Sequence, residues 1–266
     1  MKKQQTIYQV DAFTTEAFKG NPAAVCILEK EPSGEWMQNI AMEMNLSETA
    51  FIYPGPGYLF IRFYTPSTEM NICGHATLSS AHILYDTGYV NQDNEIKFSS
   101  KAGMLSVRRN GDWITMNFPT YKLESISSAS EFERVTGSKA IELYTTASHW
   151  TLALMKNEEE VRDMKPDFSK MKNSIFGDLI VTAKSDDTAF DFCVRCFAPA
   201  VGIDEDPVTG SANCALAPFW AGKTGKNDFS SHQISKREGN LKVSLKGDRV
   251  EISGQAKTIF KGELFI

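Results

Sequence analysis

The chain has little excess of charge of either sign. Its 28 lysines and arginines stand against 33 aspartates and glutamates, which gives a net charge of −5 over 266 residues. Proteins that bind nucleic acids or anionic membrane surfaces need a positive field, which this composition does not supply. We therefore expect neither a nucleic-acid partner nor a membrane partner.

The chain also lacks long apolar runs. Its longest uncharged stretches, residues 70–85 and 207–222, are shorter than the roughly 20 predominantly apolar residues of a membrane-spanning helix. The first residues include lysines but no apolar segment typical of a signal peptide. These absences predict a cytoplasmic protein.

Cysteine is scarce and odd in number, with five residues in the chain. This count is typical of free thiols rather than of a disulfide framework. Cys193 and Cys196 have CxxC spacing, but they fall in a predicted strand, where residues three apart point to opposite faces. No second CxxC pair completes a four-ligand zinc site. We expect reduced cysteines and neither a metal nor an organic cofactor.

Short apolar segments typical of strands alternate with a few helical patterns, which predicts an α+β fold. One helix is predicted to begin after Ser33 as N-cap and to end at Asn45. Others are predicted over residues 76–85 and 211–220, and Pro218 is expected to distort or end the last of these. The polar, serine-rich segment 119–130 is interpreted as a linker.

One motif occurs twice, half the chain apart. The sequence RFYTP at residues 62–66 corresponds to RCFAP at residues 195–199. Eleven residues after each arginine stands a potentially reactive side chain, Cys73 or Asp206, and a small-residue helix start follows each. The repeat predicts two similar halves, residues 1–120 and 121–254, with the final strand, residues 255–266, as a candidate to return to the first half.

A helix start offers free backbone N–H groups and the positive end of a dipole, and it therefore favours a bound anion. If the two halves face each other, both helix starts converge on one cleft that would hold a small carboxylate. Proton transfer next to a carbonyl or carboxylate suits such a cleft and needs no cofactor.

Four segments resemble the phenazine-biosynthesis PhzF family, which shares the diaminopimelate epimerase fold. They are GNPAAVC at 20–26, NLSETAF at 45–51, CGHAT at 73–77 and DEDPVTGSA at 204–212. The resemblance implies an α+β protein of two pseudo-repeated domains. Each domain is a β-barrel-like sheet wrapped around a central helix, and the active site lies in the interdomain cleft.

The resemblance also implies the site residues. Glu48 corresponds to the family's acid/base, and His75 and Asp206 correspond to its supporting catalytic residues. The substrate-binding positions are then Cys73, Gly74, Gly210 and Ser211. Asn213 departs from the histidine that many members carry there. A small-molecule carboxylate is the expected substrate, and a homodimer is the candidate assembly.

Each of these residues also has a simpler structural interpretation. Glu48 has capping-box spacing from Asn45, His75 fits a capping or packing role, Asp206 fits a solvated acidic turn, and Cys73 fits a small buried apolar residue. No role is assigned to His82, His149 or His232.

The leading hypothesis is a cofactor-independent isomerase that moves a proton on a small carboxylate, with Glu48 as the acid/base. One alternative is a non-catalytic small-ligand-binding or scaffold protein of the same fold. The other is a racemase or epimerase that uses Cys73 as one base.

Overall fold

The computed structural model describes residues 4–148 and 150–266, so that His149 lies outside the described residues. The described part of the chain forms a mixed α and β structure, which confirms the predicted fold class. Its strands are β1 (Gln4–Ala12), β2 (Asn21–Ile27), β3 (Glu48–Pro54), β4 (Leu59–Tyr64), β5 (Glu69–Met70), β6 (Ile96–Ser100), β7 (Gly103–Asn110), β8 (Trp113–Pro119), β9 (Leu123–Ser125), β10 (Glu142–Thr146), β11 (Thr151–Leu154), β12 (Leu179–Lys184), β13 (Phe192–Ala198), β14 (Ile203–Asp206), β15 (Asp228–Gln233), β16 (Gly239–Lys246), β17 (Arg249–Gly254) and β18 (Ala256–Phe265). Its helices are α1 (Gly34–Met44), α2 (Gly74–Asp86), α3 (Ala129–Thr136), α4 (Glu158–Asp163), α5 (Phe168–Met171) and α6 (Asn213–Thr224). None of these helices is long and apolar enough to cross a membrane.

The chain divides into two compact units. The first runs to Asn117 and includes Ser253–Ile266, and the second is Phe118–Ile252. The final strand β18 pairs antiparallel with β1 along its length, with one irregularity after Gln9. The predicted division at residues 120 and 254 lies near these boundaries, and the predicted position of an active site between the halves stays a prediction.

The first unit is a mixed sheet with a buried helix. Strand β1 is antiparallel to β2, β2 is parallel to β3, and β3 is antiparallel to β4. Strand β4 then pairs antiparallel with β5 and parallel with β6, which continues antiparallel into β7. Helix α2 is buried from His75 to Tyr85 and packs against β2. A helix buried on all sides is apolar or small-residue all round, as α2 is over most of its length.

The second unit repeats this succession of pairings. Strand β10 is antiparallel to β11, β11 is parallel to β12, and β12 is antiparallel to β13. Strand β13 pairs antiparallel with β14 and parallel with β15, which continues antiparallel into β16. Helix α6 is likewise mostly buried, and its buried residues include the large side chains of Phe219 and Trp220.

Helix α6 does not end at Pro218 but continues to Thr224, so that of the expected distortion or end the second was wrong. A proline removes the N–H that would bond to the carbonyl four residues earlier. That carbonyl belongs to Cys214, and the backbone N–H of Tyr121 donates to it at 2.8 Å. The helix therefore keeps its continuity because another segment satisfies the freed acceptor.

The serine-rich segment 119–130 is more ordered than the linker interpretation implied. It contains β9, which pairs antiparallel with β10, and the first residues of α3. Backbone hydrogen bonds to β10 hold this strand in the sheet. Its sequence lacks the alternation of apolar and polar residues from which strands are predicted.

Candidate functional site

In the first unit, two strands and one helix begin at the same place. Asn21 is the first residue of β2, Glu48 is the first residue of β3, and Cys73 is the N-cap of α2. Ala23 pairs with Glu48 in the parallel register of β2 and β3. Since residues two apart in a strand share a face, Asn21 and Glu48 lie on the same side of the sheet.

The side chains at this point form a buried cluster centred on His75. The Nε2 atom of His75 lies 3.0 Å from Oε2 of Glu48, and its Nδ1 atom lies 3.2 Å from Nδ2 of Asn21. The Cys73 sulfur lies 3.4 Å from His75 Nδ1 and 3.9 Å from its Nε2. Glu48 and Cys73 are each 8% exposed, His75 is 6% exposed, and Asn21 is 0% exposed.

The electrostatics of the cluster favour a proton on His75. Burial lowers the pKa of His75, but the neighbouring Cys73 and Glu48 raise it by more, so that it stands well above its ordinary value. Burial, followed by the negative charge of Glu48, raises the pKa of Cys73 to about 11. The arrangement is therefore a buried imidazole–carboxylate pair beside a neutral thiol.

The start of α2 adds a favourable environment for negative charge. Cys73 makes no side-chain cap hydrogen bond, and the first turn of the helix contains no acidic residue. The unpaired N–H groups of a first turn and the helix dipole both stabilise an anion. Gly74 and His75 belong to this turn, so the carboxylate of Glu48 lies beside it.

In the second unit, Asp206 is held in a compact hydrogen-bonded loop. The hydroxyl of Thr209 donates to Oδ2 of Asp206. The Gln233 amide donates to the Asp206 backbone carbonyl at 2.7 Å, and its Oε1 accepts from the Thr209 N–H at 2.8 Å. Gln233 thus links both ends of the loop between Asp206 and Thr209.

The remaining predicted residues of this unit form the start of α6. Gly210 and Ser211 lie in a 3₁₀ turn, Gly210–Ala212, that leads directly into the helix. Asn213, at 1% exposure, directs its Nδ2 toward the carbonyl of Gly210 at 3.3 Å. Its Oδ1 is buried and has no hydrogen-bond partner among the residues that the structure describes.

The predicted residues therefore fall into two groups. Glu48, Cys73 and His75 are in contact in the first unit, with Gly74 between the last two. Asp206, Gly210 and Ser211 belong to the second unit.

Two residues of these groups were not predicted from the sequence. Asn21 stands in the GNPAAVC segment, between a glycine and a proline, and this motif was its only signal. Gln233 lies in β15 without any motif that would single it out.

A family model described as "Phenazine biosynthesis-like protein", PhzC-PhzF, matches residues 10–262. An uncharacterized isomerase of Halalkalibacterium halodurans is 44% identical over 261 residues, which are 98% of this chain and 98% of that protein. A human phenazine biosynthesis-like domain-containing protein is 36% identical over 284 residues, covering 97% of this chain and 98% of its own.

Two solved structures are also similar to the chain, one as a relative in sequence and one in fold alone. A PhzF-family protein of Enterococcus faecalis is similar with a TM-score of 0.94 and 39% identity, covering 99% of this chain and 100% of its own. A probable proline racemase of Agrobacterium radiobacter shares the fold at 12% identity, with a TM-score of 0.66, covering 98% of this chain and 92% of its own.

Proposed function

Because the chain belongs to the phenazine biosynthesis-like protein family, we propose that it is a cofactor-independent isomerase that moves a proton within a small carboxylate-bearing substrate. Glu48 is the acid/base of this reaction, and His75 and Asp206 assist it. A homodimer stays a prediction.

One observation carries the proposal: the buried contact between Glu48 Oε2 and His75 Nε2 at 3.0 Å. The positive charge of a protonated imidazole offsets the cost of burying a carboxylate beside it. Glu48 is therefore placed where a buried carboxyl group can exchange a proton. A binding or scaffold protein has no need of such a pair, which favours the enzyme over that alternative.

In the proposed reaction, the carboxylate of Glu48 takes a proton from a substrate carbon next to a carbonyl or carboxylate. The electron pair of the broken C–H bond moves into the adjacent π system and places negative charge on oxygen. Glu48 then returns its proton to a different carbon of the same substrate. The same atoms are present before and after, so the reaction needs neither an oxidant nor a second substrate.

His75 supports both steps from a fixed position. Its Nε2 faces Glu48, and Asn21 contacts its Nδ1, so the ring is held on both sides. The imidazolium pairs with the carboxylate before proton abstraction, and the fixed ring keeps the carboxyl group in position for the return step.

The positions proposed to bind substrate are Cys73, Gly74, Gly210 and Ser211. Each lies at the start of a helix or in the turn that leads into one, where backbone N–H groups favour a carboxylate. Asp206 is proposed to act on the substrate from the loop whose ends Gln233 links.

The alternative in which Cys73 is a base receives less support. A thiol must lose its proton before it can act as a base, and burial beside Glu48 raises the pKa of Cys73 to about 11. At neutral pH this thiol is protonated, whereas Glu48 has a cationic partner.

Incorporation of solvent deuterium into a panel of small carboxylates, with and without carbon–carbon unsaturation, tests the proposal. The expected result is exchange at one carbon of at least one substrate, together with a product whose double bond or configuration has changed. Asp206→Asn should reduce this exchange. Tight binding of a panel member without any exchange would instead support the binding-protein alternative.

A further inference from the structure

Thr209 stands at the centre of a buried hydrogen-bond network in the second unit. It is 5% exposed, and it lies between Asp206 and the turn Gly210–Ala212 that leads into α6. Its hydroxyl donates to Oδ2 of Asp206, and Nε2 of Gln233 donates to the same hydroxyl at 3.3 Å. The hydroxyl therefore connects the carboxylate of Asp206 to the side chain of Gln233, which is 0% exposed.

The surroundings of Gln233 permit one orientation of its amide. Oε1 accepts from the backbone N–H of Thr209 at 2.8 Å, and Nε2 donates to the backbone carbonyl of Asp206 at 2.7 Å. A rotation that exchanged Oε1 and Nε2 would set two donors against each other at Thr209 and two acceptors against each other at Asp206. The second hydrogen on Nε2 is therefore the one directed to the Thr209 hydroxyl.

This orientation fixes the direction of the Thr209 hydroxyl proton. A hydroxyl has one proton to donate and two lone pairs, and Gln233 donates to one of the lone pairs. The Cys196 sulfur, opposite Asp206 in the pairing of β13 with β14, is the other neighbour of the hydroxyl. Burial raises the pKa of the Cys196 thiol, so that it keeps its proton and its sulfur is a weak acceptor. The charged Asp206 carboxylate is the stronger acceptor and receives the hydroxyl proton.

We propose that Thr209 is a positioning residue of the reaction, which holds the Asp206 carboxylate and commits its Oδ2 to accepting a hydrogen bond. A proton on Oδ2 would meet the hydroxyl proton of Thr209, so the network keeps this oxygen unprotonated. Asp206 then takes part as an acceptor and does not donate a proton from Oδ2. The catalytic role rests on the proposed function, in which Asp206 acts on the substrate, whereas the network itself does not depend on that function.

Rates of solvent-deuterium exchange, measured with a carboxylate that the wild type exchanges, test the role of Thr209 in the reaction. Thr209→Val keeps the shape of the side chain and removes the hydroxyl. It should lower turnover by about tenfold or more, the rate equivalent of a hydrogen bond to a charged group. Thr209→Ser retains the hydroxyl and should keep most of the wild-type rate. Within Asp206→Asn, the same valine should lower the rate by about threefold or less, because a neutral acceptor makes a hydrogen bond about half as strong.

Thr182→Val is the matched control. Thr182 is 0% exposed in the same unit, and its hydroxyl also donates once and accepts once, to the Cys193 carbonyl at 2.7 Å and from Trp220 Nε1 at 3.2 Å. Both valine variants should lose stability in urea denaturation, but only Thr209→Val should lose turnover. Thr209→Ala takes its place if Thr209→Val fails to fold. Equal turnover losses in Thr209→Val and Thr182→Val, or in Thr209→Val and Thr209→Ser, would overturn the inference.

Urea denaturation without substrate tests the network separately. Thr209→Val should lower the free energy of unfolding by about twice as much or more in the wild type as in Asp206→Ala, where the hydroxyl has lost its acceptor. Equal losses in the two backgrounds would refute the hydrogen bond to Asp206. If the coupling is present but no carboxylate exchanges deuterium, the network is supported and the proposed function fails. If the wild type exchanges deuterium and Thr209→Val does so equally fast, this inference alone is wrong.

Discussion

Replacement of Gly20 by alanine is expected to destabilise the first unit strongly. Gly20 has a φ of +68°, and a Cβ at this position would lie 2.2 Å from the carbonyl oxygen of Ala12 and 2.7 Å from a methyl of Thr14. The oxygen belongs to the backbone of β1, so it cannot move away as the end of a flexible side chain can. The clash therefore forces a displacement of the loop or of the strand.

The magnitude follows from two contributions. A left-handed conformation costs a non-glycine residue about 1–2 kcal/mol. Overpacking against a fixed neighbour adds about 1–3 kcal/mol. Gly20→Ala should therefore lower the free energy of unfolding by about 2–5 kcal/mol, the sum of these two ranges.

Gly88→Ala separates the two contributions. Gly88 has nearly the same φ, +71°, but a Cβ there would meet nothing within 4 Å. Its replacement should cost only the conformational contribution. Urea denaturation of both variants measures the difference, and equal losses of stability would refute the argument from the clash. Because Asn21 follows Gly20 and contacts His75, we also expect Gly20→Ala to lower catalytic turnover more than Gly88→Ala does.

Three further predictions concern activity, packing and pH. Cys73→Ala should reduce deuterium exchange less than Glu48→Gln does, as parallel rate measurements will show; an equal or greater loss would favour Cys73 as a base. Arg195→Met should lower the free energy of unfolding by about 3–5 kcal/mol in urea titrations. The reason is that Arg195 donates to both carboxylate oxygens of Glu205, at 2.7 and 3.0 Å, and to three backbone carbonyls around the end of α4. A loss below about 1 kcal/mol, the scale of an exposed pair, would contradict this prediction. Burial raises the pKa of Cys26 from 9.0 to about 12, so the unfolded chain loses this proton first and stability falls as pH rises above 9. Cys26→Ala should therefore reduce that fall by about 1.4 kcal/mol per pH unit between about pH 9 and pH 11, and an unchanged slope in denaturation curves would contradict the assignment.

Structure that depends on neighbouring residues could be predicted from the sequence. The first helix begins after Ser33, whose Oγ accepts from the N–H of Trp36 at 3.2 Å, and it ends at Asn45 with a φ of +50°. Both signals lie within one helical turn of the residues that they affect, so a local pattern is sufficient to predict them.

Structure that depends on distant partners could not be predicted in the same way. The continuity of α6 past Pro218 depends on Tyr121, which is far from the helix in sequence. The role of Asn21 depends on a contact with His75, 54 residues away, and that of Gln233 on contacts with Asp206 and Thr209. Sequence motifs named Glu48, Cys73 and His75, but only the fold brings their side chains into one buried cluster.

The central claim is that Glu48 transfers the proton, and the rate of solvent-deuterium exchange by Glu48→Gln tests it most directly. Glutamine preserves the size of the side chain and an oxygen beside His75, but it has no transferable carboxyl proton. The expected result is a loss of exchange of about 10²-fold or more, the usual contribution of a general acid/base, with little change in ligand affinity, measured at a temperature at which unfolding curves show the variant to be folded. Exchange as fast as in the wild type would show that another group moves the proton.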